Sequence, residues 1–135
     1  MLSPLVALVA RGVVRDAETN TISVFSIMER LTPVGFPLFI PEMAFLVMWK
    51  KAAGDPEQFN IEFVVTNNAA ELMRGPFQVN FAGTPIHRSI LRAQGMVVNE
   101  PGALRFSAVH NGAEIAHYEI VVAAPAPAVQ HIDAP

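Results

Sequence analysis

The chain has 135 residues, 52% of them hydrophobic and 16% charged, with a formal net charge of −3 and no cysteine. That length fits one domain, and high hydrophobicity with low charge excludes intrinsic disorder. Twelve acidic residues outnumber nine basic ones, which argues against a nucleic-acid partner. The missing cysteines remove disulfides, thiolate metal sites and a cysteine nucleophile.

The opening run from Met1 to Ala10 is apolar but contains Pro4, and no Lys or Arg precedes Arg11. A secretory leader needs a basic start, so this run is expected to be a first core strand. No stretch approaches the roughly 20 apolar residues of a membrane-spanning helix. The expected compartment is the cytoplasm.

Short apolar runs then alternate with Gly, Pro, Asn and Asp, and helical periodicity is almost absent. This pattern predicts an all-β sandwich or barrel. Leu5–Val14 and Thr21–Leu31 are expected to form a hairpin around the polar turn Asp16–Asn20. Thr32–Pro41 holds Pro33, Pro37 and Pro41 and reads as a connection, because proline cannot donate to a strand ladder. Glu42–Lys51 is the third strand. Phe59, Ile61, Phe63 and Val65 alternate with mainly polar neighbours, as do Phe77, Val79 and Phe81, which predicts strands with one wet face. Between them, Asn68 to Glu71 has the spacing of a helix cap and allows a turn or so of helix before Gly75-Pro76.

His87–Gln94 is a further strand, and Leu104–Val109 with Glu114–Ala123 is the last pair. A two-residue Asn111-Gly112 loop would set Phe106 opposite His117 and mix apolar with polar faces. A three-residue loop, His110 to Gly112, pairs Phe106 with Ala116 and Leu104 with Tyr118, and is the predicted register. Residues 1–123 form one β domain, and 124–135 are a Pro/Ala-rich tail.

No nucleotide-binding, nucleophile-elbow or zinc-protease motif occurs. His117 and Glu119 share a strand face, with His110 and Glu114 near. A metal needs three or four converging ligands, so a polar outer face is the favoured reading, and no cofactor or metal is expected. Arg88 and Arg92 share a face and could bind a phosphate or carboxylate, although arginines also lie along sheets with their heads in water. Asp16 with Glu18, and Asp55 with Glu57, read as turn residues.

Two strands lack a wet face. In the third, Met43, Phe45, Val47 and Trp49 form one side, while the other is also apolar at Ala44, Leu46 and Met48. The first shows the same excess, with Val6, Leu8 and Ala10 behind Leu5, Ala7 and Val9. Either the proline loop or the C-terminal tail covers this outer surface, or another chain does. The candidate interaction surface is Leu8, Phe36, Phe39, Leu46 and Met48.

These runs also resemble a known family. The features are the opening strand through Asp16, the strand Ile22 to Phe25, Phe36-Pro37 and Ile40-Pro41 leading into Met43–Val47, then Glu100-Pro-Gly102 and Asn111-Gly112 before a closing strand. Together they are similar to small uncharacterised bacterial proteins grouped as a domain of unknown function, over about residues 4–123. Asn67-Asn68 departs from that pattern, standing where an Asp-Gly is usual. The resemblance implies an immunoglobulin-like β-sandwich of about seven or eight strands, and no established activity or catalytic residue. The expected function is non-enzymatic: protein–protein contact, including self-association into a homo-oligomer. A small-ligand or carbohydrate-binding module is the alternative, with Trp49 or Tyr118 as the aromatic platform.

Overall fold

A computed structural model describes residues 2–125. The tail from 126 to 135, with His131, lies outside the described residues. Nine strands run in chain order: β1 (Ser3–Arg15), β2 (Ile22–Ile27), β3 (Arg30–Leu31), β4 (Leu38–Lys50), β5 (Gln58–Asn67), β6 (Ala70–Asn80), β7 (Ile86–Val98), β8 (Gly102–His110) and β9 (Ala113–Val122). They form two sheets, ordered β2-β1-β4-β7 and β3-β9-β8-β5-β6. All pairings are antiparallel except β3 with β9, which is parallel. The all-β expectation therefore holds, with nine strands and no helix among the described residues.

The core lies between the sheets and is built by alternation. Met43, Phe45, Val47 and Trp49 of β4 meet Phe59, Ile61, Phe63 and Val65 of β5, and Leu104 and Phe106 of β8. Phe45, Phe63 and Phe106 pack ring on ring, with centroids 5.8–6.2 Å apart. Trp49 is fully buried, and its Nε1 donates to Ser89 Oγ on β7 at 3.0 Å. That bond satisfies the one polar atom a buried indole carries.

Several expectations need correction. The strand expected over Thr21–Leu31 is two pieces: β2 ends at Ile27, and β3 pairs with β9 in the other sheet. The proline segment is only partly a connection, since β4 starts at Leu38 and includes Pro41. The β4–β7 ladder passes from Ile40↔Met96 to Glu42↔Gln94 over that proline, and β1 pairs β4 only from Ala44 onward. Pro41 thus stands where β4 has one strand neighbour rather than two, which is how a strand tolerates proline.

Asn68 to Glu71 is not a helical turn. Asn67 pairs with Ala70, so Asn68 and Ala69 are a two-residue hairpin loop with φ 51° and 69°. Both φ values are positive, as this hairpin type demands. The strain falls on Ala69, which has a Cβ and no side-chain amide to compensate. Ala69→Gly is expected to stabilise the chain by about 1 kcal/mol, read as a higher urea midpoint with an unchanged slope.

The last hairpin also differs from its predicted register. Its loop is the two-residue Asn111-Gly112, with His110 opposite Ala113 and Val109 opposite Glu114. The ladder then steps past Ile115, so that Ala108 faces Ala116, Phe106 faces Tyr118 and Leu104 faces Ile120. One extra residue in β9 moves every later side chain to the matching face. The apolar faces coincide as the alternation requires, but a bulge achieves it instead of a longer loop.

Candidate functional site

Part of the apolar surplus on the outer side of β1 and β4, at Ala44 and Leu46, is covered by the chain itself, while Val6 stays exposed. β1 pairs with β4 only as far as Ala10↔Ala44, then pairs with β2 from Ala10↔Ile27 to Arg15↔Ile22. In sheet order β7 lies beyond β4 from β1. Even so, Arg92 of β7 donates to the Val13 carbonyl at 3.3 Å, and Arg88 to the Asn20 carbonyl at 2.7 Å. Arg88 stands level with Met48, which pairs with Val6 near the start of β1. An in-plane hairpin would carry Asn20 far from that point. The β1–β2 hairpin therefore bends past Ala10, where β1 leaves β4, and crosses back over the sheet. Val13 of the hairpin is buried against Ala44 and Leu46 of β4, with Leu8, Ile22, Val24 and Ile90 packed around them.

This arrangement splits the candidate surface. Leu46 is 2% exposed and lies under the hairpin, with Leu8 packed beside it. Phe36 packs against the main core, and Met48 is half-buried. Phe39 is open, at 61% exposure, and faces Val97 at 41% across the β4–β7 ladder. The cover is neither the proline loop, whose Val34 is fully exposed, nor any described part of the tail. A sequence signal for the hairpin existed in Val13, Ile22 and Val24, three apolar residues at a hairpin end with no assigned core.

Where β1 leaves β4, a groove of about 500 Å3 opens. Met28, Leu31, Leu38, Phe39 and Ile40 line it, with Arg11 and Glu42 adding one charge of each sign. Glu42 also lies 3.4 Å from Arg92. Residues Leu38 to Met43 of β4 have no strand partner on this side.

Arg105 lies between Glu114 and Glu119, bonded to both carboxylates, and His117 Nδ1 is 3.1 Å from Glu114. The Arg105 guanidinium holds the Glu114 carboxyl below its usual range. It also occupies the position a cation would take, and no group of three metal-ligating side chains gathers among the described residues. His110 is apart from this cluster, with Nδ1 3.2 Å from the Asn60 carbonyl. Asp16 Oδ1 accepts the Glu18 and Thr19 amides, and Asp55 accepts the Ala52 amide. Glu57 accepts the Gly83 amide and pairs with Lys51 at 2.8 Å. These acids tie turns together, as their positions suggested. Trp49 is buried and offers no platform for a sugar ring.

His87 is half-buried, with its ring edge-on to Phe81 at 6.1 Å. Burial pushes its pKa down, with the neighbouring Arg88 adding to the effect. A histidine held neutral in the fold stabilises it above the usual imidazole pKa near 6.5 and less as pH falls through the depressed value. His87→Gln is expected to flatten the decline in unfolding free energy below pH 6.5. Denaturant melts at a series of pH values check this.

Residues 5–123 match a family described as a family of unknown function (DUF6941). The chain belongs to that family. No curated protein matches it. Among solved structures it is similar to a β-glucosidase from Listeria innocua in complex with glucose, at 10% identity and TM-score 0.46, covering 72% of this chain and 15% of that one. It is also similar to the Pseudomonas fluorescens alkylpurine DNA glycosylase AlkC bound to DNA containing an abasic-site analog. There identity is 9% and TM-score 0.44, covering 91% of this chain and 30% of that one. The chain spans under a third of either structure's length. No helix long and apolar enough to cross a membrane occurs among the described residues.

Proposed function

We propose that this family member is a non-enzymatic β-sandwich module, immunoglobulin-like in its pairing of two mainly antiparallel sheets, that works through protein–protein contact including self-association. The observation that carries this reading is the groove beside β4, where an unpartnered strand segment coincides with the exposed pair Phe39 and Val97. Exposed aromatic and aliphatic side chains next to a concave apolar surface suit an extended segment of another chain. A second copy of this chain is the simplest partner.

Light scattering over a concentration series tests the proposal. The wild type is expected to show mass above the monomer at high concentration, and Phe39→Asp to remain monomeric with an unchanged circular dichroism spectrum. A wild type that stays monomeric throughout, with no partner recovered by pull-down, contradicts it.

A further inference from the structure

The crossing hairpin brings together two arginines that are far apart in sequence. Arg15 Nη1 donates to Asn20 Oδ1 at 3.3 Å, and Arg88 Nη2 donates to the same oxygen at 3.0 Å as well as to the Asn20 carbonyl. The two donor nitrogens are thus no more than about 6 Å apart, close enough for their charges to repel. Neither guanidinium forms an ion pair with a carboxylate among the described residues, whereas Arg74, Arg92 and Arg105 each do. The nearby Asp16 has one carboxylate oxygen turned to the Glu18 and Thr19 amides. Lys50, opposite Ile86 in the β4–β7 ladder, adds positive charge on the same face. A cavity of about 290 Å3 opens at this point, lined by both arginines and Asn20 with Ile22, Ile86 and Ile90 as apolar walls.

We infer that Arg15 and Arg88 form a binding site for the phosphate group of a small organic phosphate monoester. Two guanidiniums fixed on one neutral amide still have free donors, and a phosphate dianion neutralises both charges, whereas a carboxylate neutralises one. The isoleucine walls would take the apolar body of the ester. The site lies at the Ile86 end of β7, away from the groove near Val97, and stands independently of the proposed protein contact.

Calorimetric titration of the full chain with phenyl phosphate at neutral pH tests the assignment, with benzoate and matched potassium chloride as comparisons. Saturable binding is expected for phenyl phosphate, weaker binding for benzoate, and none for chloride. Arg15→Gln and Arg88→Gln should each weaken phenyl phosphate binding at least about tenfold. Arg88 also anchors the hairpin, so if its variant unfolds, the exposed Arg15 variant decides. Binding by Arg15→Gln equal to wild type, benzoate binding tighter than phenyl phosphate, or no saturable phosphate binding would overturn the assignment.

Discussion

Replacing Leu46 with aspartate is expected to destabilise the chain by at least about 3 kcal/mol, although Leu46 points away from the core between the sheets. A carboxylate there would be enclosed by Leu8, Val13, Ala44 and Ile90 under the β1–β2 hairpin, and the flanking Arg88 and Arg92 are already bonded to the Asn20 and Val13 carbonyls. The fold can avoid that burial only by lifting the hairpin. That would expose Val13, Ile22 and Val24 and break the Arg92–Val13 and Arg88–Asn20 bonds. Met48→Lys, two residues along the same face at a half-buried position, serves as the control. A lysine can extend its head to water there, and the cost is expected to stay below about 1 kcal/mol. Equal, small effects in both variants would mean that the hairpin does not cover this face.

Gly102→Ala is expected to cost about 2–3 kcal/mol, the second largest of these effects. Gly102 adopts φ 130°, which a residue with a Cβ rarely enters, and the added methyl would overlap the Asn68 amide. That amide is already committed. Asn68 Nδ2 donates to the Pro101 carbonyl at 2.8 Å, and its Oδ1 accepts from the Ala103 amide at 2.9 Å. Beside it, the buried Asn67 exchanges bonds with the Glu100 amide and carbonyl. The two asparagines thus clamp the β5–β6 hairpin to the turn before β8. Asn68→Gly removes this residue's bonds without adding bulk or strain at φ 51° and should cost less than Gly102→Ala. If the two variants lose the same stability, the glycine's conformation contributes nothing.

The clamp also explains the Asn67-Asn68 departure noticed in the sequence. An Asp-Gly at those positions would relax the turn but could not make the same set of donated and accepted bonds. The inner faces of β4, β5 and β6 were legible for a simple reason: alternation reports burial directly when a strand is flat. The hairpin crossing was not legible. Bending β1 past Ala10 leaves its alternation intact, so the sequence showed two apolar faces on β4 without showing what lies on the second. The bulge at Ile115 escaped for a related reason, since one extra residue changes register without changing composition.

The candidate surface shows the same limit. Apolar character marked Leu46 and Phe39 equally, but the bent hairpin buries the first and leaves the second beside an open groove. Face-sharing grouped Arg88 with Arg92. The crossing separates them, turning Arg92 toward Glu42 and Val13 while Arg88 meets Arg15 at Asn20. Long-range chain path, which local pattern does not encode, decided both outcomes.

The β1–β2 hairpin lies over its own sheet and covers Ala44 and Leu46, while Phe39 stays open beside its groove. Methyl NOE spectra on a dilute sample mixing labelled and unlabelled chains test that directly. Contacts from Ile22 and Val24 to Leu46 and Ile90 are expected within single chains, at intensities independent of concentration. Absence of those contacts, or their appearance only between chains, would contradict the account.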